Sequence, residues 1–156
     1  MKKSIRYSLL FSLIISIMIT FSSFAAATTE ASDPITDTLY LLNECRLHYG
    51  LPQLTLDTKI LPVSDIRVSE SASLFSHTRP DGRRYSTAFS DCNVCYQYCG
   101  EILAYGYQTP EQVINAWMAS PGHRSVILSP HYKKVGISRI LADDNQIYWA
   151  IEFLSE

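Results

Sequence analysis

The chain has no Gly-x-Ser-x-Gly element, no internal repeat and no low-complexity block. The first absence removes the usual serine-hydrolase elbow, and the other two remove solenoid arrays and compositionally biased scaffolds. A basic surplus is missing as well. With 13 Lys and Arg against 15 Asp and Glu, the formal net charge is −2, which leaves no electrostatic footprint for nucleic acid. Arg83-Arg84 and Lys133-Lys134 are isolated basic pairs that read as solvated surface. The longest apolar run, Leu9 to Phe21, is short and interrupted by Ser12, Ser16 and Thr20. That weighs against a permanent membrane span. No cysteine follows the run closely, so a lipoprotein-type anchor has no attachment point.

What the N-terminus does carry is an export signal. Lys2, Lys3 and Arg6 precede the apolar run, and Ala25, Ala26 and Ala27 supply the small residues that signal peptidase needs. Residues 1–27 therefore read as a signal peptide and 28–36 as a short polar leader, with a single domain over 37–154. The signal contains three of the 13 basic residues and no acid. The exported part thus has ten basic against 15 acidic residues, a formal charge of −5. The expected location is secreted, with no stable membrane span after processing.

All four cysteines, Cys45, Cys92, Cys95 and Cys99, fall in the exported part. An even set in an oxidising compartment favours two disulfides, with three connectivities open. Zinc on these thiols is a weaker reading because exported thiols oxidise first, and a redox role for Cys92 and Cys95 is weaker still because the motif sits among Asn93, Tyr96 and Gln97 without an apolar helical face.

Thr36 or Asp37 is the expected cap of a first helix that Gly50 ends, with Leu39, Leu42 and Arg46 on one face and Leu47 beside them. A second helix runs from a cap at Asp57 to about Phe75, starting at or bent by Pro62. Residues 78–99 read as a long irregular loop. Thr109-Pro110-Glu111-Gln112 opens a helix with a cap, a first-position proline and a capping box. Ser120-Pro121 starts another. Val135 to Arg139 and Tyr148 to Phe153 form a hairpin around Asp143-Asp144-Asn145, with Trp149, Ile151 and Phe153 on its apolar face. Helices flanking such a sheet give a layered α/β domain.

Three segments place a titratable group beside turn-forming residues: Phe75-Ser76-His77, Gly100-Glu101 and Ser120-Pro121-Gly122-His123. Each has a plain reading as a helix-end or surface residue. His123, third in its helix, faces free N–H groups that disfavour a cation, so its imidazole tends to the neutral, ligand-competent form. Two imidazoles and one carboxylate would satisfy a zinc-like ion and leave one position open.

Asn43-Glu44-Cys45-Arg46, Leu74-Phe75-Ser76-His77, Gly100-Glu101-Ile102-Leu103-Ala104, Trp117 to Arg124 (WMASPGHR) and Lys134-Val135-Gly136-Ile137 occur in one order. In that order the chain resembles bacterial SCP-like proteins of the CAP superfamily (cysteine-rich secretory proteins, antigen 5 and pathogenesis-related 1 proteins). The resemblance covers roughly residues 37–154. It implies a three-layer α-β-α sandwich with a mainly antiparallel sheet and a shallow cleft. It also implies that His77, Glu101 and His123 occupy the cleft, sometimes around a divalent metal. The family's second acid falls on Ser120, its Asn on Ile102 and its Gln on Ile151, which makes this cleft less polar.

The leading functional expectation is a non-enzymatic binding module for a small ligand, a lipid, a cell-envelope component or a protein partner. Residues 78–99 border the expected cleft and would set specificity. The alternative is a hydrolase using Glu101, His77 and His123 or a metal-bound water. A third reading is a structural extracellular domain in which the three side chains form a buried polar network.

Overall fold

A computed structural model describes residues 33–156, and the first of them is a helix cap. The Asp33 carboxylate accepts from the backbone N–H of Ile35 and Thr36, and Pro34 takes the first helical position, so helix α1 (Pro34–His48) starts ahead of the expected Thr36 or Asp37. The expected signal peptide and residues 28–32 of the expected leader lie outside the described residues. Gly50, at φ +70°, supplies the left-handed turn that ends the helix segment. Arg46 does not reach solvent. Its guanidinium donates to the carbonyls of Pro52, Ile127, Ser129 and Tyr132, tying α1 to the segment before the third strand.

The remaining elements are β1 (Thr55–Leu56), α2 (Leu61–Ser73), α3 (Thr87–Asp91), β2 (Tyr98–Tyr105), α4 (Pro110–Ala119), α5 (Pro121–Ile127), β3 (Lys134–Leu141) and β4 (Ile147–Ser155). Asp57 caps a turn through Lys59 rather than α2 itself, which begins at Leu61 next to Pro62. Helix α4 opens as its sequence dictates, with the Thr109 hydroxyl accepting from Gln112 N–H. The sheet order is β1-β3-β4-β2. The β3–β4 and β4–β2 pairs are antiparallel, whereas the short β1 runs parallel to β3, so the sheet is mixed.

Alternation along β2 and β4 sends side chains to two cores. Ile102, Ala104, Trp149, Ile151 and Phe153 pack on one side with Leu42, Val113, Trp117 and Ile127, from α1, α4 and α5. Leu103, Tyr148 and Ala150 face the other side with Val68, while Leu154 meets Ile60, Val63, Ala88 and Phe89. Helices on both faces make the domain a three-layer α-β-α sandwich. One consequence was not visible in the alternation of the hairpin: β4 is the central strand and all nine of its residues are buried, Glu152 included. The face that the sequence presents as the polar side of the hairpin is covered by α2.

Close approach of α2 to the sheet depends on Gly136. A Cβ there would lie 2.5 Å from the Ile60 carbonyl oxygen and 2.7 Å from its carbon. Backbone cannot yield as a side-chain tip does. Gly136→Ala is expected to destabilise the domain by about 1–3 kcal/mol, the usual cost of overpacking; urea unfolding checks it, and an unchanged midpoint would refute it.

Candidate functional site

The site is built where α2 and its following loop lean over β2. Arg67 projects from α2 at the helical spacing of Ser64, Val68 and Ser71, and its side chain is fully buried. An arginine buried there needs several acceptors, and it has them. Its Nε donates to Glu101 Oε2 at 2.6 Å and its Nη2 to Glu101 Oε1 at 3.3 Å and to the Ser76 carbonyl at 2.7 Å. Its Nη1 donates to Glu70.

Glu101, on β2, is likewise sealed from solvent, and its Oε1 meets His77 Nδ1 at 2.6 Å. Burial alone would raise the Glu101 pKa, but the hydrogen bonds from His77 and Arg67 outweigh it and hold the carboxyl below its ordinary range. The same bond to Glu101 raises the His77 pKa. The His77 side chain keeps 58% of its surface exposed, so the imidazole forms a lid over a closed carboxylate.

His123 lies third in α5, as its sequence indicates. Its pKa is lowered, as expected, by burial first and by the charge of His77 second. The structure thus joins His77 to Glu101 directly and leaves His123 as a neighbour that feels His77. Among the described residues no group of three His, Cys, Asp or Glu side chains is arranged to hold a metal ion. The donor chemistry explains this. Both oxygens of Glu101 are already engaged by the Arg67 guanidinium.

Sequence reasoning missed two members of the site. Arg67 lies beside Val68 on the buried face of α2, and that helical position was the signal that could have found it. Glu152 had no such signal, because its burial follows only from the central place of β4. It sits directly opposite Glu101 in the β2–β4 register. Among the described residues no N–H or hydroxyl donor of another residue type reaches its carboxyl oxygens, and its one polar partner is the Glu101 carboxyl, with which it shares a hydrogen bond. Burial first, and then the Glu101 charge, raise its pKa well above the ordinary value, so it is the protonated member of the pair.

Beside this sealed floor lies a cavity of about 480 Å³ lined by Phe75, Leu103, Tyr105, Tyr107, Trp117 and His123, with Ala104, Ala116 and Ser120 between them. The Phe75 and Tyr105 rings meet edge-on at 4.7 Å, and each is about half exposed. Trp117 has its indole N–H committed to the Leu103 carbonyl, so it serves the wall rather than a ligand.

The segment 78–99, expected as one long loop, contains α3 and the first residues of β2, and it is organised by arginines. Arg79 is buried, pairs with Glu70 on α2 and with Asp91 on α3, and donates to Thr87. Arg83 closes the set on Asp81 and Asp91. The four cysteines are unpaired in this structure, and the segment is held by ion pairs.

The sequence pattern described as CAP, cysteine-rich secretory protein family, matches residues 39–153. The chain is 27% identical over 118 residues to the protein YkwD of Bacillus subtilis (strain 168), covering 74% of this chain and 45% of that protein. Among solved structures it is similar to an outer surface protein of Borrelia burgdorferi, with a TM-score of 0.72 at 22% identity over 79% of this chain and 92% of that one. It is also similar to an extracellular SCP-domain protein of Bacillus anthracis str. Ames, with a TM-score of 0.71 at 21% identity over 79% of this chain and 40% of that one. The chain spans less than half the length of the Bacillus subtilis relative.

Proposed function

The chain belongs to the cysteine-rich secretory protein (CAP) family, and on that premise we propose that it is an exported, non-enzymatic binding module. Its cleft takes a small, largely apolar ligand with one hydrogen-bonding end. The observation that carries this reading is the cavity itself. Its volume of about 480 Å³ lies within the range of small-molecule sites, and aromatic and aliphatic side chains make most of its wall. His123, which burial holds toward its neutral form, and Ser120 supply the polar end. Exposed Phe75 and Tyr105 form the lip that such a ligand would cover. No helix among the described residues is long and apolar enough to cross a membrane, in keeping with an exported domain.

Filling the cavity tests the reading. Ala116→Trp replaces a half-buried methyl on the cavity wall with an indole. Mass spectrometry of small molecules that co-purify with the exported protein is expected to find a compound on the parent that the variant loses, at unchanged far-UV circular dichroism. Equal loading of parent and variant would place the ligand elsewhere.

Export also exposes the thiols to oxidation, and the fold limits what they can form. Cys45 packs in the core between α1 and the sheet, whereas Cys92 and Cys99 pack beside Phe89 and Leu154 on the opposite face. The sheet stands between them, and a disulfide needs Cα atoms within about 7 Å. Oxidation should therefore join one pair from Cys92, Cys95 and Cys99 and leave Cys45 as a thiol. Alkylation of unfolded, non-reduced protein followed by peptide mapping checks this; a Cys45 cross-link within the chain would contradict it.

A further inference from the structure

We propose that Arg67 is the resident cation of this cleft: its guanidinium fills the place that a divalent ion would take between Glu101, Glu152 and His77, so the protein holds no metal there while Arg67 is present. The inference concerns the sealed floor and stands apart from whatever the cavity binds.

Four observations support it. The two carboxyls face each other across the β2–β4 ladder, and His77 Nδ1 lies 2.6 Å from one of them. Two carboxylates and an imidazole are a nitrogen and oxygen donor set of the kind zinc accepts. Arg67, with no exposed side-chain surface, engages both oxygens of Glu101 and is itself anchored by Glu70 and the Ser76 carbonyl. It is fixed from behind and cannot swing out to admit an ion. Glu152, completely buried, has no cation or N–H donor at either oxygen and meets only the Glu101 carboxyl across the ladder, the pattern left when an acidic pair has one cation too few for both members to ionise. A divalent ion brought to Glu101 would meet a positive guanidinium at contact distance in a dry site, where like charges repel strongly.

The prediction is a gain of metal binding on removal of the arginine. Arg67→Leu takes away the charge and opens space between Glu101, Glu152 and His77. In a melting experiment on the full exported protein, a saturating excess of Zn²⁺ over EDTA should leave the parent and its His77→Ala variant responding alike. Arg67→Leu should be stabilised by several degrees, should bind one zinc per chain by elemental analysis, and should lose that response when His77→Ala is added. Requiring dependence on His77 separates this site from zinc held by the four thiols. A His77-dependent zinc response of the parent would overturn the proposal, as would a folded Arg67→Leu protein without one. Should Arg67→Leu fail to fold even with zinc present, the comparison of the parent with His77→Ala decides the matter by itself: saturable one-to-one binding lost with His77 refutes it, and identical responses uphold it. Loss of ligand from the cavity in Ala116→Trp leaves all of these outcomes unchanged, so the two readings fail separately.

Discussion

In metal-free buffer, Arg67→Leu should lower the unfolding free energy by about 3–5 kcal/mol, the usual cost of breaking a buried ion pair from one side. The loss is not that of one contact. Leucine leaves the sealed Glu101 carboxylate with no cation of fixed charge beside it, strands the Ser76 carbonyl and removes one of the two cations on Glu70. A carboxylate kept from water without compensation either costs free energy or takes up a proton. Arg83 offers the control within the same chain of ion pairs. It makes two salt bridges of 2.7 and 2.8 Å, yet its side chain is 46% exposed, so solvent screens them and Arg83→Ala should cost far less than Arg67→Leu. Urea denaturation of the two variants gives the comparison. If both lose the same small amount, burial is not what gives the Arg67 pair its weight.

How far the sequence exposed this arrangement depended on whether a signal was local. The Thr109-Pro110 start of α4, the hairpin around Asn145 and the apolar stripe of Trp149, Ile151 and Phe153 all follow from neighbours a few residues apart, and all are present. The family resemblance brought His77 and Glu101 together, and they meet at hydrogen-bond distance. Three features depended on distant parts of the chain and were read differently. The cap at Asp33 was hidden because TTEASDP reads as a polar leader, although aspartate before proline is also a strong helix start. The 78–99 segment read as an irregular loop because the arginines that hold it find acids on α2 and α3, beyond the reach of any local pattern. Glu152 looked like a solvent-facing hairpin residue because alternation cannot tell a sheet covered on one face from a sheet covered on both.

That last residue has a consequence for stability against pH. The Glu101–Glu152 pair holds one proton, on Glu152, in the folded protein. An unfolded glutamate releases its proton near pH 4.3 or so. Above that point the unfolded chain is favoured, because it ionises a group that the native state must keep neutral. Stability attributable to Glu152 is therefore fully present below its unfolded pKa and falls by about 1.4 kcal/mol for each pH unit as pH rises toward its raised folded value. Glu70 and Asp91 act oppositely. Arg79 and Arg67 outweigh the burial of Glu70, and Arg83 and then Arg79 hold Asp91 low, so their contributions are lost as pH falls below about 4. Glu152→Gln keeps the shape of the protonated acid and brings N–H donors for the Glu101 carboxylate. It removes the proton that folding must retain. The variant and the parent should differ little near pH 4, and the variant should gain steadily on the parent from pH 5 to 7. Taking the difference cancels the histidines, whose shifts run in opposite directions in both proteins. A difference that stays constant across this range would mean that Glu152 is ionised within the fold, and that Arg67 balances two negative charges rather than one.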